Sequence, residues 1–171
     1  ERVGMPEFGL SLALGGLESA DMRWGETVPQ DDRGAAIVLD AEGRFAPIVF
    51  AEAALIAAAR AEAAGIGIVA VTGPGSLGRI APYARAIASA GLVGLIAVGS
   101  PPLGAPHRGN AAALGTNPVA TGIPTSTTPI VVDASSSLLT KGRWGELRAR
   151  GEQVPDGVAI DADGAVTRDA E

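Results

Sequence analysis

A glycine-rich stretch, Gly73–Gly78, is the first place in the sequence where residue types and spacing could do chemistry. It reads GPGSLG, the G-x-G-x-x-G spacing of a dinucleotide-binding turn, and a helix-forming run follows it. The backbone N–H groups of such a turn and the helix dipole both attract phosphate. The full fingerprint also needs an acidic residue about 20 positions on, where this sequence has none. Pro74 removes one donor as well, so a plain tight turn and a phosphate-binding turn both stay open.

Two further side chains could take part in proton or hydrogen-bond chemistry. Asp133 ends the apolar run PIVVD; its carboxylate could hold an imidazole in one tautomer and favour the charged form. Alternatively, Asp133 is a helix N-cap that accepts N–H bonds from Ser135 or Ser136. The Ser76 hydroxyl could donate to a carbonyl or phosphate oxygen, but it is too weak an acid to replace histidine near neutral pH. A helix N-cap is the alternative role for Ser76.

A long Pro- and Gly-rich segment, Ser100–Pro118, ends in the rigid polar turn Thr116-Asn117-Pro118. Irregular segments of this length inside a compact domain are often functional, although the turn could simply precede a strand. The segment contains His107, which we expect to be a surface or loop-packing histidine. Tyr83 lies early in the helix after the glycine stretch, where we expect it to pack.

Composition excludes several classes of function. The net charge is −6, the pI is near 4.8 and no basic stripe occurs, so nucleic acid is not an expected partner. There is no cysteine and a single histidine, which removes thiol chemistry and histidine-rich metal sites. Asp161-x-Asp163-Gly164 lacks the Glu of a calcium loop, so no metal is expected. No apolar run could span a bilayer and no signal peptide is visible, so we expect a cytoplasmic protein without a membrane partner.

The elements that must position these residues can be read from periodicity and turn chemistry. The polar stretch VPQDDRG predicts a loop, and the alanine-rich Phe50–Ala64 predicts a helix that Gly65 ends. The other predicted elements are a strand at Ala35–Leu39, a helix at Arg79–Ala90, two strands joined by a turn near Thr127-Thr128, a helix at Leu138–Gly151 and a hairpin that turns at Asp163-Gly164.

Two apolar runs echo each other around the glycine stretch, AGIGIVAV at Ala64–Val71 and AGLVGLIAV at Ala90–Val98. Neither alternates with polar residues, which predicts strands covered on both faces. A helix lies between them. This order predicts a parallel strand–helix–strand unit, and therefore an α/β protein.

The sequence from AGIGIVAV through LGTNPVATGIP resembles the malate/L-lactate dehydrogenase family, a non-Rossmann family of NAD(P)-dependent oxidoreductases. The resemblance continues through PIVVDASSSLLTKGR and RGEQVPDGVAIDADGAVTRDAE, so it covers almost the whole chain. It implies an α/β fold in which helices flank a mixed sheet, as in L-sulfolactate dehydrogenase. It also implies that residues 1–171 form a single domain matching the central part of a longer fold.

The resemblance further implies a function and a set of site residues. The function is hydride transfer between NADP or NAD and a small 2-oxo or 2-hydroxy acid, or a cyclic imino acid. The catalytic positions it implies are Asp133 and Ser76. The cofactor-binding positions it implies are Ser76, Leu77, Gly78, Thr116, Asn117, Pro118, Ser135 and Ser136.

The departures from the family pattern favour other readings. The catalytic histidine of the family's Ser-Asn-His-Phe-Gly motif falls on Ser76, and an earlier Ser-His-Gly falls on Arg2-Val3-Gly4. Family members are also about twice as long. A diverged ligand-binding or subunit protein without dehydrogenase activity is therefore one alternative, and a fragment of a longer enzyme is another. We expect a homo-oligomer or a complex with a second chain, because a missing half would leave an apolar face bare.

Overall fold

The structure is a computed structural model that describes residues 27–170. The position expected for the earlier Ser-His-Gly motif, Arg2-Val3-Gly4, lies outside the described residues. Three helices are described: α1 (Ala46–Ala64), α2 (Ala81–Ser89) and α3 (Lys141–Arg150). The eight described strands are β1 (Val28–Asp32), β2 (Ala36–Asp40), β3 (Ile68–Thr72), β4 (Gly94–Ala97), β5 (Val119–Ile123), β6 (Ile130–Ala134), β7 (Ala159–Ile160) and β8 (Val166–Thr167).

One sheet has the order β1-β2-β3, and the helix α1 connects its parallel pair. Strand β2 pairs with β3 in parallel, with Ala36 opposite Ile68 and Asp40 opposite Thr72. Strand β1 pairs with β2 in antiparallel fashion. The prediction of a polar loop at VPQDDRG was therefore wrong for β1. All five residues of β1 are exposed, and an edge strand of this kind tolerates polar side chains because only its backbone must pair.

A second sheet has the order β4-β5-β6. The two echoing apolar runs are both strands, as predicted, but β3 and β4 belong to different sheets. The parallel crossover unit is β2-α1-β3 rather than β3-α2-β4. Periodicity identified the strands but could not identify their partners, because pairing depends on contacts that are distant in sequence.

The helix α1 begins with a proline in its first turn and ends at Gly65. Gly65 has a φ of 80°, and its N–H donates to the Ala61 carbonyl, so the predicted glycine stop is confirmed. The helix packs Ala53 on Ile37 and Leu39 of β2, which are 5% and 1% exposed. Small side chains allow this close approach.

The loop between β1 and β2 is tied to α1 by a single guanidinium. Arg60 makes two bonds of 2.7 Å to the carboxylate of Asp32 and also donates to the carbonyl of Gly34. The Arg60 hydrogen bonds, helped by one from the Gly34 backbone, lower the pKa of Asp32 from 3.8 to about 2. The ion pair between Arg60 and Asp32 therefore holds the edge strand β1 against the helix α1.

The prediction that both faces of the apolar strands are covered was wrong. Burial alternates along β3, with Ile68 53% exposed, and along the first three residues of β6, where Val132 is 57% exposed. Leu95 of β4 is 71% exposed. Each strand therefore has one covered face and one bare apolar face. The bare-face residues are Ile68, Leu95, Ile130 and Val132.

The chain divides into two compact units. Within the described residues, unit 1 runs from residue 27 to Ile96 and includes Ala120–Asp133, and unit 2 comprises Ala97–Val119 with residues 134–170. Unit 2 has its own core of Leu147, Val154 and Ala170 around α3, which Thr140 caps. The expectation of a single domain stays a prediction. No helix in residues 27–170 is long and apolar enough to cross a membrane.

Candidate functional site

Asp133 lies at the end of β6 in unit 1, where its carboxylate meets the start of α2. Its Oδ2 accepts a hydrogen bond of 2.9 Å from the backbone N–H of Ala81. The side chain of the N-cap residue, Ile80, makes no capping bond. Asp133 thus satisfies an otherwise unpaired N–H of the helix, and its negative charge is favourable beside the positive end of the helix dipole. The alternative that Asp133 is an N-cap accepting N–H bonds from Ser135 or Ser136 was wrong: its carboxylate caps α2, which is distant in sequence, by accepting the N–H of Ala81.

The glycine stretch forms an irregular connection of β3 to α2. Ser76 is exposed and lies four positions before the N-cap Ile80, so the alternative that Ser76 caps the helix was wrong. Gly73 and Gly78 have φ values of 66° and 67°, which glycine adopts at little cost. The carboxylate of Asp133 occupies the anion position at the N-terminus of α2. The roles of Ser76, Leu77 and Gly78 toward a cofactor stay predictions.

In unit 2, a pair of hydrogen bonds joins Ser100 to Asn117. The Ser100 N–H donates to Asn117 Oδ1 at 3.1 Å, and the Asn117 N–H donates to Ser100 Oγ at 3.0 Å. The Ser100 hydroxyl also lies 3.0 Å from Thr116 Oγ1. The two residues therefore hold each other by reciprocal backbone-to-side-chain bonds.

Thr116 also connects to the serines that follow β6. Its carbonyl accepts hydrogen bonds from the hydroxyls of Ser135 and Ser136, at 2.9 and 3.0 Å, and from the Ser136 N–H at 3.0 Å. The structure thus brings together four of the predicted cofactor-binding positions with one residue that the sequence did not single out. We refer to Ser100, Thr116, Asn117, Ser135 and Ser136 as the polar cluster.

The backbone within the polar cluster is strained and tightly packed. Asn117 has a φ of 35°, which is uncommon for any residue with a side chain and more so before a proline. A Cβ added to Gly115 would collide with the carbonyl oxygen of Ser100. Pro118 completes the arrangement, because its carbonyl accepts a 3.0 Å bond from the N–H of Val98. Strain of this kind often marks ligand-binding segments.

The intervening segment closes on itself beside the polar cluster. The N–H groups of Leu103 and Gly104 donate to the carbonyl of Leu114 at 2.9 and 2.8 Å. His107 is exposed on this segment, as expected for a surface histidine. The loop ends are thus fixed by backbone bonds, which brings positions 100 and 117 together although 16 residues separate them in the sequence.

The remaining candidates have structural roles. Tyr83 is half-buried in unit 1, and its ring lies 6.0 Å from that of Phe50, so it packs as expected. Burial raises the pKa of the Tyr83 hydroxyl. The Oδ1 of Asp161 accepts the N–H groups of Asp163 and Ala165 and so builds the turn of the β7–β8 hairpin. Among residues 27–170, no grouping of His, Asp and Glu could hold a metal ion.

Three small sheets, the first of them mixed, combine with helices in an α/β protein outside the doubly wound class. The family model of malate/L-lactate dehydrogenase matches residues 21–171. The chain therefore belongs to the malate/L-lactate dehydrogenase family, and the resemblance read from the sequence is confirmed.

Curated relatives and solved structures agree with this assignment. A malate dehydrogenase of Pyrococcus abyssi is 37% identical over 78% of this chain and 37% of its own length. A Δ1-pyrroline-2-carboxylate/Δ1-piperideine-2-carboxylate reductase of Pseudomonas putida is 33% identical over 96% of this chain and 48% of its own. This chain thus spans less than half the length of these two relatives.

The fold expectation is confirmed by the solved structures. A dehydrogenase from Sinorhizobium meliloti superposes with a TM-score of 0.86 at 31% identity, covering 94% of this chain and 48% of that one. The sulfolactate dehydrogenase of Methanocaldococcus jannaschii superposes with a TM-score of 0.74 at 23% identity, covering 96% and 47%. Helices flanking small mixed sheets are therefore the fold, as the resemblance implied.

Proposed function

We propose that this chain binds a nicotinamide cofactor, NADP or NAD, through the polar cluster of unit 2. The proposal extends to hydride transfer to or from a small 2-oxo or 2-hydroxy acid, or a cyclic imino acid. The observation that carries it is the polar cluster itself, in a chain of a dehydrogenase family. The relatives are named for malate and for Δ1-pyrroline-2-carboxylate, which belong to those substrate classes.

The donors and acceptors of the polar cluster fit the polar groups of such a cofactor. The Asn117 carboxamide uses its oxygen on Ser100, which leaves its two N–H donors for a ligand. Thr116 and Ser136 add hydroxyls. These neutral groups suit carboxamide and ribose hydroxyl partners, which need directed hydrogen bonds rather than a counter-charge. When bound, the cofactor supplies or accepts the hydride, and the polar cluster orients it.

Proton transfer is proposed to use a group other than the family histidine. Ser76 stands at that position, and its hydroxyl cannot act as an acid near neutral pH. Asp133 uses Oδ2 on Ala81, so only its second oxygen is available to hold an imidazole or a water. Water, or a residue of a second chain, is therefore the proposed proton donor.

A second candidate function is a diverged member that binds a ligand or serves as a subunit without turnover. The observation that favours it is the commitment of Asp133 to a helix cap, together with Ser76 in the place of the histidine. Under this proposal, cofactor or substrate binds but no hydride is transferred.

We further propose that the protein is cytoplasmic and assembles as a homo-oligomer or with a second chain. The bare apolar faces of β4 and β6, with Leu95 and Val132 more than half exposed, support assembly. Light scattering after size exclusion tests it: a single species at 17.0 kDa contradicts self-assembly.

The experiment that tests the proposed function is a titration with NADPH and NADH, followed by nicotinamide fluorescence. The variant Thr116→Val removes the hydroxyl at constant shape, and Thr128→Val makes the same change in an exposed turn of unit 1 as the control. Saturable binding that Thr116→Val weakens and Thr128→Val preserves supports the proposal. A screen of 2-oxo acids and cyclic imines then separates the dehydrogenase from the diverged binder.

A further inference from the structure

We infer that Ser100 is a positioning residue of the cofactor site, which acts by holding Asn117 in its strained conformation. The inference rests on the proposed function. Sequence alone did not assign Ser100 a role, because a serine after a strand carries no signal by itself. The structure shows that its backbone and its side chain both bind the same asparagine.

Asn117 has a backbone conformation that its neighbours must hold. At a φ of 35°, Asn117 occupies a region that is sparsely populated for residues with a side chain. Such a residue keeps this conformation only when its neighbours hold it there. The two reciprocal bonds with Ser100, at 3.1 and 3.0 Å, are the bonds that do so. Gly115 contributes room, because any side chain there would collide with the Ser100 carbonyl.

The side chain of Asn117 keeps hydrogen-bond donors for a ligand. The Asn117 carboxamide has one acceptor oxygen and one NH₂ group with two donors. Ser100 engages the oxygen and thereby fixes the plane of the amide. The NH₂ group makes no hydrogen bond to any residue between 27 and 170. Ser100 thus sets the direction in which the two remaining donors are presented.

The hydroxyl of Ser100 lies near two oxygen atoms that could accept its proton. Its oxygen lies 3.0 Å from Thr116 Oγ1 and 3.5 Å from Asn117 Oδ1. The shorter contact is the better hydrogen bond. A Ser100 proton donated to Thr116 leaves the Thr116 proton available for an oxygen of the ligand. The Ser100 hydroxyl therefore contacts Thr116 as well as Asn117, so a small part of its effect should persist when Asn117 is replaced.

The test is a double-mutant cycle in cofactor affinity. Ser100→Ala removes the hydroxyl but keeps the backbone bond, and Asn117→Gly removes the carboxamide while tolerating the positive φ. We expect Ser100→Ala to weaken NADPH or NADH binding roughly tenfold, because Asn117 would then hold its binding conformation in only about a tenth of the molecules. In the Asn117→Gly background, the same change should weaken binding much less, because Ser100 acts through Asn117.

Three controls distinguish positioning from loss of structure. Ser100→Thr keeps the hydroxyl and should restore affinity. Ser126→Ala, in an exposed turn, should have no effect. In the nitrogen–proton NMR spectrum, the Asn117 backbone amide should exchange faster with solvent in Ser100→Ala than in the wild type, with or without cofactor.

The outcomes separate the two claims. If the wild type binds neither cofactor at millimolar concentration, the proposed function fails, and the inference fails with it. If the wild type binds and Ser100→Ala binds equally well, only the inference is overturned. Equal losses in the wild-type and Asn117→Gly backgrounds also overturn it, because Ser100 would then act independently of Asn117.

Discussion

The glycine stretch of unit 1 and the polar cluster of unit 2 both carry residues that the sequence marked for cofactor binding, but the structure uses them differently. At the glycine stretch, the carboxylate of Asp133 fills the N-terminus of α2, where a phosphate would otherwise be attracted. In the polar cluster, Asn117 is strained and held by Ser100, and its two amide donors stay available. A sequence motif therefore does not guarantee that its binding groups are free. Whether a group can bind a ligand depends on whether it already makes a hydrogen bond within the protein.

The largest expected effect comes from Gly115→Ala. The added methyl would overlap the Ser100 carbonyl and the Asn117 side chain, so overpacking should lower the free energy of unfolding by about 1–3 kcal/mol. Cofactor affinity should be lost as well. Urea unfolding and the NADPH titration measure the two effects.

Two glycines serve as controls for that variant. Gly99→Ala places its methyl in open space and should change the free energy of unfolding by less than about 0.5 kcal/mol. Gly122→Ala in unit 1 would collide with the Ala84 carbonyl, so it should destabilise the protein to a similar extent. Intact binding in folded Gly115→Ala would contradict the assignment of the site to the polar cluster.

The second effect concerns Asp133. Asp133→Ala leaves the N–H of Ala81 without its acceptor and should lower the free energy of unfolding by about 1 kcal/mol. Asp133→Asn keeps an acceptor oxygen and should cost less than half of that. Thermal and urea unfolding measure both.

Turnover in Asp133→Asn sharpens the interpretation. If Asp133 acts only as a helix cap, Asp133→Asn should keep any kcat of the wild type, apart from the fraction of protein lost through lower stability. A complete loss of kcat with unchanged stability would instead assign Asp133 to the proton chemistry.

Low pH should reduce the free energy of unfolding through the protonation of Asp32 in unit 1. Its pKa is about 2 in the folded protein and 3.8 ordinarily, so the unfolded state binds the proton more tightly. The stabilisation is therefore fully present above about pH 4 and is lost as the pH falls toward 2. Arg60→Gln should remove most of this pH dependence and leave the smaller part that comes from the Gly34 N–H, whereas Arg33→Gln, at an exposed pair, should preserve it. Unfolding measured between pH 2 and 5 tests this, and identical slopes for wild type and Arg60→Gln would contradict it.

The smallest effect is expected for Ser76→Ala. Ser76 is exposed and caps no helix, so the free energy of unfolding should change by less than about 0.5 kcal/mol. If the polar cluster carries the binding, cofactor affinity should also stay within twofold. A large loss of cofactor affinity with an unchanged free energy of unfolding would show that the glycine stretch takes part in cofactor binding.

Local signals in the sequence predicted much of the fold. Gly65 ends α1 as expected, and Gly164, with a φ of 83°, forms the predicted hairpin turn. Strand partners and exposed faces were not predictable, because they depend on distant contacts. For this reason the sequence predicts a loop at the position of β1 and pairs β3 with β4.

The candidate site was predictable in part. Thr116 and Asn117 stood out by their resemblance to the family, whereas Ser100 became visible only through its bonds to Asn117. Asp133 was recognised as a possible cap, but its partner Ala81 lies 52 residues away in the sequence. Such pairings follow from tertiary packing and leave no local trace.

The sharpest test of cofactor binding by the polar cluster is a fluorescence titration of the wild type, Thr116→Val and Thr128→Val with NADPH and NADH. We expect saturable binding of at least one cofactor to the wild type, clearly weakened in Thr116→Val and unchanged in Thr128→Val. Absence of binding at millimolar cofactor, or equal affinity in all three proteins, would contradict the claim that the polar cluster holds a nicotinamide cofactor.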